Sequence, residues 1–251
     1  MGNKNYLYGR YSFRTDAGKV RLNNEDRACA LTNSRGNILL VVCDGMGGMN
    51  KGDLASETAV NHISEAFQEK DRFLNRFFAK QWVSRIIKEA NSKIFSLASK
   101  NEQYQGMGTT MTLVLIINDY MVVAQIGDSR AYSFRNRNLT QITEDQTYVQ
   151  YLYRVGKISK EEINTHPKRH VLMNALGIYP SLDLDIKVMP YMNDAIMLCS
   201  DGLYNNVSDK DILSIIKGSD SPDQKVNELI SLANANGGSD NIAVIVWEAQ
   251  Q

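Results

Sequence analysis

Ile38-Leu39-Leu40-Val41-Val42-Cys43-Asp44-Gly45-Met46-Gly47-Gly48 decides how this chain is read. Its unbroken apolar run is too short for an ordinary helix and suits a strand buried on both faces. The run then stops dead at an aspartate set among glycines. The same pattern returns elsewhere. The apolar run 122–127 enters Asp128-Ser129-Arg130, the run 196–200 enters Asp201-Gly202, and Asp240-Asn241 opens the run 242–247. A carboxylate beside a buried strand is costly unless its charge is compensated. Several such strand ends point to one meeting place, and a divalent cation is the simplest way to hold like charges together there.

Around these runs the chain is balanced. Its 251 residues suffice for one sizeable core, so 1–251 reads as a single domain. Lys+Arg and Asp+Glu are both 28, which argues against nucleic acid or an anionic membrane as partner. No apolar run approaches the roughly 20 residues of a membrane span. The polar start Met1-Gly2-Asn3-Lys4-Asn5 does not resemble a signal peptide. Tyr6 stands where a myristoylation pattern needs Ser or Thr. The expectation is a soluble, cytoplasmic protein. Cys29, Cys43 and Cys199 lack metal-type spacing, and two of them sit in apolar runs, so all three read as buried thiols. With only His62, His166 and His170 besides, a zinc or iron–sulfur site is not expected.

Strand-like segments fall at about 11–14, 27–32, 37–43, 110–117, 120–126, 130–135, 183–189, 194–199 and 241–247. Short turns such as Asn33-Ser34-Arg35-Gly36 and Asn118-Asp119 join neighbours and favour antiparallel pairing. Helical spacing marks about 53–69 (Ala55, Ala59, Ile63, Phe67) and 80–99 (Val83, Ile86, Ile87, Ile94). Ser208-Asp209-Lys210-Asp211 reads as a capping box opening 209–217. Ser221-Pro222 opens a further helix that ends near Gly237-Gly238. Paired helices inserted between strands suggest two packed sheets, each covered by a helix pair. Residues 144–182 interrupt that order and read as a flap, with a solvated surface excursion as the plain alternative.

The donors are oxygens, which suits Mg²⁺ or Mn²⁺. Gly45 lets a main-chain carbonyl approach an ion closely. Two ions about 3.5–4 Å apart would activate a bridging water for in-line displacement at phosphorus. The stretch Arg21-Leu22-Asn23-Asn24-Glu25-Asp26 adds carboxylates able to hold metal-bound waters and a guanidinium able to grip a phosphate. Taken alone, Glu25-Asp26 is more often a solvated turn, and Asp44-Gly45 is equally a turn pair.

Taken together, Arg21-Leu-Asn-Asn-Glu25-Asp26, Asp44-Gly-Met-Gly-Gly48, Gly108-Thr109-Thr110, Gly127-Asp128-Ser129-Arg130, Ser200-Asp201-Gly202 and Gly238-Ser-Asp240-Asn241 follow a known order. The chain resembles the metal-dependent Ser/Thr protein phosphatases of the phosphatase 2C type. Met46 and Thr165-His166-Pro167-Lys168-Arg169 are similar to the bacterial branch. The resemblance spans about residues 10–247. It implies an α+β fold, an αββα sandwich with a binuclear Mn²⁺/Mg²⁺ centre at one edge. By position it implies that Asp44 bridges the metals and Gly45 lends its carbonyl. Asp201 and Asp240 would ligate directly, Glu25 and Asp26 mostly through water. Arg21 would bind the substrate phosphate, and Asp128 would hold a third, weaker ion. Residues 144–182 match the flap beside the site.

The implied activity is hydrolysis of phosphoserine and phosphothreonine by direct attack of a metal-bridging water. Phosphoprotein substrates, a cognate Ser/Thr kinase and a monomeric state follow from the same resemblance. Animal members carry a proposed general-acid histidine where this chain has Met46, which has no proton to give. The acid is therefore not identified. Two rivals remain at this level: a non-catalytic phosphoprotein binder and a phosphoesterase acting on small molecules. Asp128 could also simply pair with Arg130. The Tyr148, Tyr151, Tyr153 cluster could face substrate or pack the flap.

Overall fold

The computed structural model describes residues 9–47 and 51–250. Gly48, quoted in the Asp44 motif, and the start at Met1-Gly2 lie outside the described residues. In chain order the elements are β1 (Gly9–Asp16), β2 (Asp26–Thr32), β3 (Ile38–Met46), α1 (Gly52–Gln68), α2 (Arg76–Lys100), β4 (Gly108–Thr109), β5 (Met111–Ile117) and β6 (Tyr120–Ile126). Then come β7 (Arg130–Arg135), β8 (Asn138–Gln141), α3 (Tyr148–Arg154), α4 (Lys160–Ile163), β9 (Asp185–Pro190) and β10 (Ala195–Cys199). The chain ends with α5 (Asp201–Tyr204), α6 (Asp209–Lys217), α7 (Pro222–Ala235) and β11 (Ile242–Ala249).

Two antiparallel sheets result, in the orders β1-β11-β10-β7-β8 and β2-β3-β5-β6-β9, with β4 paired to β3. The unbroken apolar runs are explained by three stacked interiors. Along β3, alternate side chains point to opposite faces of the sheet. Leu39, Val41 and Cys43 pack under α1 and α2 with Ile63, Phe67, Val83 and Ile87. Ile38, Leu40 and Val42 face the other sheet, meeting Leu198, Ile245 and Trp247. On the far side Met197, Cys199, Val244 and Val246 lie under α6 and α7 with Ile212, Ile216, Val226 and Leu229. The expected αββα sandwich is therefore present.

The Ser221 cap is the one the sequence signals, whereas the box expected at Ser208–Asp211 forms only its forward half. Ser221 and Gln224 form a reciprocal capping box with Pro222 at the first turn. At α6 Ser208 accepts from the Asp211 amide. Asn118, at φ 50°, makes the β5–β6 turn, and Gly36, at φ 75°, the β2–β3 turn. The cysteines are buried and unbridged. No helix among the described residues is long and apolar enough to cross a membrane.

Among the described residues, β8, β4, α5 and a 3-10 turn over Glu102–Tyr104 have no counterpart in the sequence reading. β8 is a polar edge strand, Asn-Leu-Thr-Gln, without the apolar run that marks its neighbours. β4 is only two residues, and α5 is a single turn beginning at Asp201.

Candidate metal centre

Sheet register brings the acids together. β2 runs antiparallel to β3 so that Asp26 stands directly opposite Asp44. β10 and β11 are hydrogen-bonded neighbours, so Asp201, just after β10, and Asp240, just before β11, emerge at one end of their sheet. Asp128 follows β6 at the same edge. A cleft of about 1460 Å³ opens there, lined by Arg21, Glu25, Asp44, Gly45, Asp128, Asp201 and Asp240. The segment 144–182 contributes Asn164, Arg169, His170 and Leu172 to its wall. Asp26 lies beneath the floor, fully buried.

The electrostatics are those of like charges crowded out of water. Burial raises the Asp44 carboxyl well above its ordinary range, and Asp26, Asp201, Asp128 and Asp240 push it further. Burial brings Asp26 to about 7 against a lowering bond from Ser200. Burial followed by Asp240 brings Asp201 to about 6, with Arg21 opposing. Asp128 rises to about 7 through burial, then Asp201 and Asp145. Glu25 is also raised, by burial and then Asp53. One Asp26 oxygen, Oδ1, is buried with no hydrogen-bond partner. An orphaned buried carboxylate oxygen is normally compensated. Oxygen donors carrying several negative charges are the ligand chemistry of a hard divalent cation. Among the described residues no three acidic, His or Cys side chains close into a finished ligand set. They share a rim, and the Arg21 Nη2 donates to Asp240 Oδ2 at 2.8 Å.

Asp26, Asp44 and Glu25 are held by polar groups that only the fold brings near. Ser200 Oγ donates to Asp26 Oδ2 at 2.6 Å and accepts from the Ala243 amide at 2.8 Å. The Asp44 amide donates to Thr110 Oγ1 at 3.0 Å, while Thr109 Oγ1 donates to the Asp44 carbonyl at 2.9 Å. Asn241 accepts from the Glu25 amide at 2.8 Å and donates to the carbonyls of Ala17 and Asn23. It thereby fastens the Arg21–Asp26 turn to the start of β11. Gly45 has no room for a side chain, because a Cβ there would stand 2.7 Å from the Glu25 carbonyl oxygen and closer still to that of Gly52. The glycine requirement is thus close approach of backbone to backbone.

Several sequence alternatives are decided by these contacts. Arg130 does not pair with Asp128. Its Nη2 donates to Asp145 Oδ2 at 2.7 Å and its Nε to Oδ1 at 3.0 Å, while the guanidinium lies 3.5 Å from the Tyr204 ring centroid. Tyr204 in turn donates to the Asp128 carbonyl at 3.2 Å. Tyr148 packs inside the flap against His166, whereas Tyr151 and Tyr153 are exposed. His62 lies between α1 and α2, against Glu89 and Lys93. Met46 lines the cleft, as its motif position requires. His170 stands in the cleft wall. Burial and Arg169 lower its pKa, with Asp240 opposing.

Comparison with known proteins agrees with this geometry. The family model for protein phosphatase 2C matches residues 17–243. The serine/threonine phosphatase stp of Listeria welshimeri is 38% identical over 237 residues, 94% of each chain. Among solved structures, serine/threonine phosphatase Stp1 from Staphylococcus aureus superposes with a TM-score of 0.91 at 31% identity, covering 100% of both chains. The catalytic domain of the serine/threonine protein phosphatase PstP, solved with two manganese ions, gives a TM-score of 0.86 at 32% identity. That match covers 98% of this chain and 100% of the other. With the acid-lined edge of its αββα sandwich and these likenesses, the chain belongs to the protein phosphatase 2C family.

Proposed function

We propose that this chain is a metal-dependent protein phosphatase that hydrolyses phosphoserine and phosphothreonine by direct attack of water at phosphorus. The observation that carries the reading is the pair Asp26 and Asp44, opposite each other in register, with a buried Asp26 oxygen left without a partner. The manganese-containing PstP domain supports it.

On this reading Asp44, Asp201, Asp240 and the Gly45 carbonyl hold two Mn²⁺ or Mg²⁺ ions. Glu25 and Asp26 reach them mostly through water, and Asp128 holds a third, weaker ion. When bound, the ions activate water as the nucleophile and neutralise charge developing on the phosphate. The rest is done by the chain. Ser200, Thr109, Thr110 and Asn241 fix the carboxylates and their backbone, so little reorganisation accompanies reaction. Arg21 spends one N–H bond on Asp240, and a guanidinium carries five donors, leaving capacity to grip the substrate phosphate. Arg169 in the cleft wall adds further positive charge. Met46 has no proton to give, and a lowered His170 is neutral at pH 7 and above, so neither is a loaded acid there.

On the same reading the substrates are phosphoproteins of the cytoplasm, the counterpart is a Ser/Thr protein kinase, and the enzyme works as a monomer. Residues 144–182 govern the choice of protein substrate. The test compares phosphate release from phosphoserine and phosphothreonine peptides with release from small phosphate esters. Preference for the peptides supports the reading. Hydrolysis confined to small esters would make the chain a small-molecule phosphoesterase.

A further inference from the structure

The flap leaves the sandwich after β8 and returns before β9, and its two feet meet at one residue, Gln146, through both its main chain and its side chain. From the outgoing foot, the Gln146 amide donates to the Gly127 carbonyl at 2.9 Å. Its side-chain Oε1 accepts from the Gly127 amide at 3.1 Å, and its Nε2 donates to the Gln125 carbonyl at 3.2 Å. From the returning foot, the Met173 amide donates to the Gln146 carbonyl at 2.8 Å and Asn174 Nδ2 donates to Gln146 Oε1 at 3.0 Å. A neighbouring bridge between Thr147 and Leu172 closes the neck.

What Gln146 grips matters. Gly127 immediately precedes Asp128. It adopts φ +87°, and a Cβ there would stand 2.6 Å from Thr110 Cγ2. Thr110 is the residue that accepts from the Asp44 amide. One short path therefore runs from both feet of the flap through Gln146 to Gly127, and from there to the two acids on either side.

We propose that Gln146 is a positioning residue that couples the flap to the site, fixing the Asp128 carboxylate against the acid rim by clamping the Gly127 backbone to both flap feet. A flap that shifts on binding a protein substrate then moves the backbone carrying Asp128. The link from that geometry to turnover rests on the phosphatase reading above; the link from Gln146 to Asp128 does not.

The substitution Gln146→Met keeps length and removes both amide ends. The first readout is hydrogen exchange of the metal-free protein. The Gly127 amide and the segments 144–148 and 171–176 are expected to exchange at least tenfold faster, with β11 unchanged. The second is calorimetric titration with Mn²⁺, in which the weakest site loses about tenfold in affinity and the tighter sites hold. The third is turnover of an aryl phosphate: kcat falls while KM stays within twofold, and added Mn²⁺ restores part of the loss. A merely structural role would speed exchange throughout the protein and leave the order of metal affinities unchanged. A folded variant with wild-type exchange at Gly127 and a wild-type titration would overturn the proposal. If Gln146→Met does not fold, Asn174→Ala removes the returning foot's side-chain donor to Gln146, together with its bond to the Asp183 carbonyl, and leaves the Met173 amide bond in place. Faster exchange at Gly127 in that variant supports the coupling, and unchanged exchange overturns it. If the wild-type protein hydrolyses no phosphopeptide, the proposed function fails, and exchange and titration still decide the part played by Gln146.

Discussion

Replacing Asp26 with asparagine should make the metal-free protein more stable, by an amount that grows as pH rises from about 4 to about 7 and is then constant. Asp26 is fully buried, with one oxygen bonded to Ser200 Oγ and the other unpartnered. Burial raises its pKa from 3.8 to about 7. An acid raised in the folded state binds its proton more tightly there than in the unfolded chain. Folded protein therefore holds more protons between those two values, and stability falls as pH rises through them. At about 1.36 kcal/mol per pH unit, the full cost above pH 7 is about 4 kcal/mol as an upper bound. Asp26→Asn keeps the shape and an acceptor for Ser200 while removing the charge. A gain of about 2–4 kcal/mol is expected at pH 8 in chelator, fading towards zero near pH 4. Urea denaturation of both proteins across that pH range measures it. Added Mn²⁺ should stabilise the wild type more than the variant, reversing part of the gain. A variant no more stable than wild type at pH 8, or one whose gain persists at pH 4, would refute the reasoning.

Three further outcomes follow from named contacts. Arg21→Ala should raise KM for a phosphopeptide by roughly 10–100-fold with a smaller change in kcat, since a charge-assisted phosphate contact is worth about 1.5–3 kcal/mol; unchanged kinetics would remove Arg21 from the site. Thr110→Val leaves the Asp44 amide and the Ser129 hydroxyl each short of a partner, so urea denaturation should show a loss of about 1–3 kcal/mol. His170→Gln should keep most of kcat at pH 8 even on an ester with a poor leaving group, because the imidazole is already neutral there; a loss of about a hundredfold confined to that ester would make His170 the general acid.

The fold was legible where burial leaves a pattern. β3, β5 and β6 are apolar on both faces because each lies between two packed layers, and their runs are unmistakable. β8 was not legible because an exposed edge strand needs no apolar residues. In the site, the aspartates stood out because they end such runs. Their supports did not. Ser200 reaches Asp26 across 174 positions and Asn241 reaches Glu25 across 216, and no local spacing announces either contact. Arg130 illustrates the same point. Asp128 is its near neighbour in sequence, yet the guanidinium turns to Asp145 at the foot of the flap. Nothing in the local sequence of His170 shows which side of its segment meets the cleft.

The most direct test of the account is hydrolysis of a phosphothreonine peptide by wild type and Asp44→Asn, each with Mn²⁺ and with excess chelator, with folding checked by circular dichroism. The account predicts turnover only for wild type with Mn²⁺, and near-complete loss in folded Asp44→Asn at every metal concentration. Full turnover in chelator, or in Asp44→Asn, would contradict it.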